Sequence, residues 1–210
     1  MSPTAPDELG RRVREVVFAT RNPGKLREVR ALLAELPVRV LGLDEVADLE
    51  LPEEGGDYAA NAAAKARTAA AASARLALGD DSGLEVAALA GGPGARSGRY
   101  GASEAARNQR LLEALAGVPA ARRGARFVCV AALATPDGDV ATARGECAGR
   151  ILEAPRGAGG FGYDPIFEPF ESTARGRSLA ELPPAEKDRL SHRGRAFRAL
   201  LPAIEACLRS

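Results

Sequence analysis

The spacing of apolar positions changes several times along the chain, and each change marks an element. Residues 14–20, REVVFAT, form a nearly continuous β-rich apolar run, the pattern of a strand buried on both faces. RNPGK at 21–25 reads as a tight turn, after which Leu26, Val29, Leu32 and Leu33 recur at helical spacing. A short strand is predicted near Val38 to Leu41, followed by an acidic loop, LELPEEGGD, at 49–57. The alanine-rich stretch beginning at Tyr58 propagates as a long helix on propensity alone. Near Leu76 it gives way to a strand expected to end at Asp80 and Asp81. A glycine-rich loop at 89–101 precedes Ser103, the predicted N-cap of the next helix.

Two further strand-like runs, RFVCVAALAT and DVATARGECAGRI, are joined at Pro136-Asp137-Gly138, a hairpin signal. PRGAGGFGYDPIFEP at 155–169 reads as a loop that presents Phe161, Tyr163 and Phe167. The C-terminal helical region sets Leu200, Leu201, Ile204 and Leu208 on one face, with a kink or boundary predicted at Pro202. Strand-loop-helix units followed by a hairpin predict an α/β chain: a mixed, twisted central sheet flanked by helices, with two lobes around an active-site cleft. A flexible tail at 1–14 and a single domain at 15–210 complete this expectation.

Composition narrows the function. With 46% apolar residues the 210-residue chain can bury a core, and a net charge of +1 with interspersed signs excludes the basic footprint of a nucleic-acid binder. No apolar run is long enough to span a bilayer and the first residues lack a signal-peptide core, so no membrane partner and a cytoplasmic location are expected. Cys129, Cys147 and Cys207 stand at no metal-ligand spacing and read as reduced, mostly buried thiols. Among 29 basic residues only Lys25, Lys65 and Lys187 are lysines. An ammonium is compact with freely oriented donors where arginine is a planar fork, so a tight phosphate pocket is one reason to choose it.

Those lysines lie in segments with chemistry of their own. Thr20-Arg21-Asn22-Pro23-Gly24-Lys25, between strand and helix, offers backbone N–H groups and a helix N-terminus to an anion, although Lys25 is followed by Leu26 and no Walker A loop is present. Asp80 and Asp81, with Glu53 and Glu54 in the acidic loop, are hard oxygen ligands suited to magnesium. Phe161 between glycines can stack on a base, Asp164 can accept a hydrogen bond from sugar or base, and His192 is the only histidine. Taken singly, an ordinary turn, a solvated acidic pair and a structural or surface histidine explain these segments at least as well.

Taken together, TRNPGK, NAAAKA, DDSGLEV, GGFGYDPIF and EKDRLSHRG occur in an order and spacing that closely resemble the inosine triphosphate pyrophosphatase family, from about Val16 to the last helix. The resemblance implies magnesium-dependent hydrolysis of nucleoside triphosphates with 6-oxo purines, namely dITP, ITP and XTP, to the monophosphate and pyrophosphate. It implies that Thr20, Arg21, Asn22, Pro23, Gly24 and Lys25 hold the triphosphate together with Lys65. Asp81 becomes the proton acceptor and a metal ligand, with Glu53 as second metal carboxylate and Glu54 as its alternative. Asp80 supports the site and Ser82 touches substrate. Phe161, Gly162, Tyr163 and Asp164 cover base and sugar, Lys187 adds a contact, and His192 with Arg193 reads the base edge. A homodimer is implied as well. Ala60 stands before Asn61 where relatives often carry glutamate, so no carboxylate acts there.

Overall fold

The predicted strand-loop-helix start is present as β1 (Arg14–Phe18), α1 (Pro23–Leu32) and β2 (Val38–Gly42) in a computed structural model that describes residues 13–46 and 49–209. The expected N-terminal tail lies outside the described residues through Arg12, and Arg14 already opens β1. The chain continues through α2 (Tyr58–Ser73), β3 (Ala77–Val86), β4 (Pro93–Gly94) and α3 (Glu104–Ala114). Next come β5 (Gly124–Ala134), β6 (Val140–Ile151), β7 (Phe167–Pro169), α4 (Pro184–Leu190) and α5 (His192–Arg209).

The strands make one mixed sheet in the order β2-β1-β3-β5-β6-β7, with the short β4 paired on β3. β1 pairs in parallel with β2 and β3, while β4 on β3 and β7 on β6 are antiparallel. β5 and β6 are neighbours joined by only five residues, a connection that fits a hairpin. Mixed α/β architecture is thus as expected. No helix among the described residues is long and apolar enough to cross a membrane.

Three boundaries differ from expectation. α1 starts at Pro23, so Pro23, Gly24 and Lys25 form its first turn, with proline at a position where no N–H partner is required. More consequentially, β3 does not end at the aspartates: it runs on to Val86, and Asp80 and Asp81 are 1% and 3% exposed in its middle. Consecutive strand residues face opposite ways, so the two charges are directed apart and each meets its own ammonium, which lets the strand continue through them. At the other end of the chain, α5 passes through Pro202 without a break, and the helical region divides instead at Ser191.

The described residues group into two compact units. One holds β1, α1, β2, α2 and β3 as far as Asp81, with Val130–Ala143 and the chain from Ala196. Its buried side chains include Val17, Phe18, Leu78, Leu133, Phe197 and Leu200, and Phe18 meets Phe197 edge to face at 5.8 Å. The other unit comprises Ser82–Cys129 and Arg144–Arg195, around a core that includes Leu84, Leu111, Phe127, Ile151, Tyr163 and Phe167. Cys129 and Cys147 are buried, and burial, reinforced by Glu171, pushes the Cys147 thiol up to about 12, so both behave as small apolar side chains.

Within the first unit, α2 buries Tyr58, Asn61, Ala62, Lys65, Ala66, Ala69 and Ala70, an i, i+3, i+4, i+7 stripe. The stripe is mostly alanine because the helix lies directly on β3: a Cβ at Gly79 would run into the Ala62 carbonyl oxygen and stand 2.9 Å from the Ala66 nitrogen. Both obstacles are helix backbone and cannot give way. Gly79→Ala is therefore expected to lower stability by about 1–3 kcal/mol in urea unfolding. Gly56→Ala, where an added Cβ meets nothing within 4 Å, is expected to stay near wild type.

Candidate active site

In the first unit, α1 begins under a dense local network. Asn22 Oδ1 accepts from the Gly24 and Lys25 N–H groups at 2.8 and 3.1 Å, and the Asn22 N–H donates to Thr20 Oγ1. Asn22 is thus the N-cap of the helix as well as a predicted substrate contact. Arg21 turns its guanidinium to Asp44 and to the Leu49 carbonyl oxygen, at 2.9 and 3.2 Å, which ties the segment before the acidic loop to the start of α1. Lys25 reaches across to Asp80, Nζ to Oδ1 at 2.8 Å. An open cavity of about 510 Å³ is lined by Thr20, Arg21, Asn22, Lys25, Glu54, Lys65 and Asp80, among others. The predicted phosphate loop, two of the three lysines and two of the four predicted acids therefore share one cavity wall.

Asp81 is held from α2. Asn61 Nδ2 donates to Asp81 Oδ2 at 2.7 Å, and Lys65 Nζ lies 3.4 Å from Asp81 Oδ1 and 2.6 Å from Glu54 Oε1. Residues four apart on a helix share a face, so Asn61 and Lys65 approach the same carboxylate together. Burial pushes the Asp81 carboxyl above the usual carboxylate range. Lys65 and the Asn61 hydrogen bond oppose that rise, and the Glu54 charge adds to it. Burial likewise opposes the charge on Lys65, but Asp80, Asp81 and Glu54 outweigh it and hold the ammonium above its ordinary value.

Of the two adjacent glutamates, Glu54 is turned to Lys65, whereas Glu53 is exposed. Among the described residues no group of three or more His, Cys, Asp or Glu is placed to hold a metal unaided. Asp81 and Glu54 do fit magnesium as a partial set: both are hard oxygen donors, they come from separate segments, and they already converge on one cation, the Lys65 ammonium. One or two carboxylates completed by substrate phosphates is how magnesium is usually bound.

The second unit contains the other predicted residues. Asp164 Oδ2 accepts from the Phe161 N–H at 2.8 Å and from Lys187 Nζ at 2.5 Å, so it folds the loop around itself. Gly160, at φ 71°, is needed because a Cβ there would collide with that same carboxylate oxygen. Phe161 stays partly exposed, with the Lys187 ammonium 4.7 Å and the Arg193 guanidinium 5.6 Å from its ring centre. Tyr163 is placed otherwise: its ring lies in the core and its hydroxyl donates to the Ser97 carbonyl oxygen at 2.9 Å. His192 stacks on Phe127 at 4.6 Å, nearly parallel, and Arg193 donates to Ser82 Oγ at 3.2 Å.

Two residues outside the predicted set hold these parts in place. Asn61 joins Asp81 to the acidic loop. Asn108 donates from Nδ2 to the Gly162 carbonyl oxygen at 3.1 Å, fixing the aromatic loop to α3. Asn61 was legible in principle, since a polar residue four before Lys65 in an alanine helix has to face the same way. Asn108, at 54 residues from its partner, left no such signal.

Residues 16–203 match the model of the Ham1 family. The chain is 51% identical to a dITP/XTP pyrophosphatase of Deinococcus deserti, covering 93% of this chain and 91% of that one. It is 50% identical to a dITP/XTP pyrophosphatase of Thermus thermophilus, over 91% and 92% of the two chains. Among solved structures it is similar to a HAM1 protein from Coxiella burnetii, with a TM-score of 0.77 and 40% identity over 92% of this chain and 99% of that one.

The buried Asp164–Lys187 pair generates a test within one unit. Asp164→Ala leaves the ammonium buried without this carboxylate and is expected to destabilise by about 3 kcal/mol in denaturant unfolding. The double variant Asp164→Asn/Lys187→Met removes both charges and is expected to lose clearly less.

Proposed function

The chain belongs to the Ham1 family, and from that membership we propose that it hydrolyses the non-standard purine nucleoside triphosphates dITP, ITP and XTP to the monophosphate and pyrophosphate. The observation that carries this reading is a buried carboxylate, Asp81, clamped by Asn61 and Lys65 in the unit that also holds the lysine-lined cavity at the start of α1. Such an acid is shielded from solvent, oriented, and more basic than a free aspartate.

In the proposed reaction the triphosphate is held by the Thr20–Lys25 segment, with the Lys25 ammonium aimed by Asp80 and the Lys65 ammonium aimed by Glu54 and Asp81. Asn61 occupies Asp81 Oδ2, which leaves Oδ1 to accept the proton of the water that attacks the α-phosphorus. Asp81 and Glu54 are the residues that would hold magnesium, Glu54 in preference to Glu53 because it is the one turned inward. Bound there, magnesium would supply neutralisation of the charge that builds on the departing pyrophosphate.

Base and sugar are assigned to Phe161, Gly162, Asp164 and Lys187, with His192 and Arg193 reading the base edge. Donors set for a 6-oxo group reject the 6-amino group of adenine, because a buried donor facing it stays unmatched at a cost of about 1–3 kcal/mol, whereas guanine shares the 6-oxo group and its exclusion has to rest on the 2-amino position. We extend the reading to a cytoplasmic homodimer acting on free nucleotides, with no nucleic-acid or membrane partner; the near-neutral charge supports the absence of a nucleic-acid partner.

Pyrophosphate release from dITP and XTP is expected to exceed that from dATP and dGTP by about tenfold or more, and to stop with excess EDTA. Equal rates on all four substrates would sink the specificity. Asp81→Asn is expected to bind ITP within about threefold of wild type yet lose at least about 10²-fold in turnover, read by calorimetry and by single-turnover kinetics. Retained turnover would remove Asp81 from the chemistry.

A further inference from the structure

The Asn61 amide makes three hydrogen bonds, two to the acidic loop and one to an acid of β3. Its Oδ1 accepts the Gly55 N–H at 2.8 Å, and its Nδ2 donates to the Gly55 carbonyl oxygen at 3.1 Å and to Asp81 Oδ2 at 2.7 Å. The paired bonds to Gly55 hold a single residue of loop backbone as a strand neighbour would, and the third bond crosses to the catalytic strand. The residue is 6% exposed and sits on the face of α2 that is pressed onto β3. Gly55 directly follows Glu54, and Asp81 is the acid that Asn61 touches.

We infer that Asn61 is a positioning residue that sets the distance between Glu54 and Asp81 and the rotation of the Asp81 carboxylate. Through one amide it fixes the two carboxylates that would grip a divalent cation. The inference rests on the magnesium reading above. A backbone grip is required because Glu54 lies in a loop, at 49–57, outside any helix or strand. An ion pair such as the one from Glu54 to Lys65 orients a long side chain poorly by itself. The rotation matters equally. A carboxylate whose Oδ2 is engaged by Asn61 presents Oδ1 toward Lys65, so one oxygen is assigned to structure and the other is left to chemistry.

The test uses the full chain with Asn61→Ala and the near-isosteric Asn61→Asp, which keeps an acceptor for the Gly55 N–H but loses the donors to the Gly55 carbonyl oxygen and to Asp81. Three quantities are measured for each: Mn²⁺ binding by electron paramagnetic resonance with α,β-imido-ITP present, the Mg²⁺ concentration for half-maximal turnover, and thermal stability. Outer partners of metal ligands typically govern affinity by about 10- to 100-fold. Asn61→Ala is accordingly expected to weaken Mn²⁺ binding and raise the Mg²⁺ requirement by about 10-fold or more, while KM for ITP at saturating Mg²⁺ stays within about threefold. A residue that merely holds the fold would lower the melting temperature and leave both metal constants at their wild-type values. That result, in either folded variant, overturns the inference and spares the magnesium reading. A wild-type enzyme that neither binds Mn²⁺ nor needs a divalent ion overturns both.

Discussion

The first unit is organised by how closely α2 lies on β3. Gly79 has no side chain, the facing helix positions are alanine, and helix backbone comes within van der Waals range of strand backbone. That closeness is what lets the short amide of Asn61 reach an acid in the middle of the neighbouring strand alongside the longer Lys65. Widening the gap by one methyl group would lengthen every bond they make. The alanine-rich composition of the helix is thus a geometric demand of the site and only incidentally a matter of helix propensity.

Charge is handled in the same unit by division. Adjacent aspartates would repel if they shared one environment, but strand alternation sends them apart, Asp80 to the lysine of α1 and Asp81 to the lysine of α2. Each buried acid has a buried or half-buried ammonium, and Lys65 does not belong to one acid alone, because it also holds Glu54 and feels Asp80. Opposing influences on Asp81 leave it somewhat more basic than a free aspartate. In the second unit the same device recurs with Asp164 and Lys187. All three lysines of the chain are committed to such pairs, where a compact point charge meets individual carboxylate oxygens and a guanidinium fork would fit poorly.

Much of this was legible in the sequence. The periodicity of 14–33 announced strand and helix, the alanine run announced α2, and Pro136-Asp137-Gly138 announced the β5–β6 hairpin. The mixed sheet followed from their order. The end of β3 was not legible: GDDSGLEV suggests a strand that stops at the two aspartates, and the positions of Lys25 and Lys65 in space, 55 and 16 residues away from their acids, explain why the strand continues. Which of Glu53 and Glu54 turns toward Lys65 was equally closed to sequence, since a loop has no period from which to deduce facing. Asn22 and Tyr163 carry a related lesson. Both belong to the motifs singled out in the sequence, yet the cap bonds of one and the core placement of the other are consequences of local backbone geometry that a motif does not encode.

The continuity of β3 through Asp80 and Asp81 makes the strand a ruler. The residue that aims the phosphate-side lysine and the residue proposed as the base are separated by one peptide unit, about 3.8 Å from Cα to Cα. No hinge, loop or packing contact enters that length. Breathing of α1 or α2 can loosen the partners of the two acids and turn their carboxylates, but the Cα spacing from which both side chains start is set by covalent bonds and does not drift.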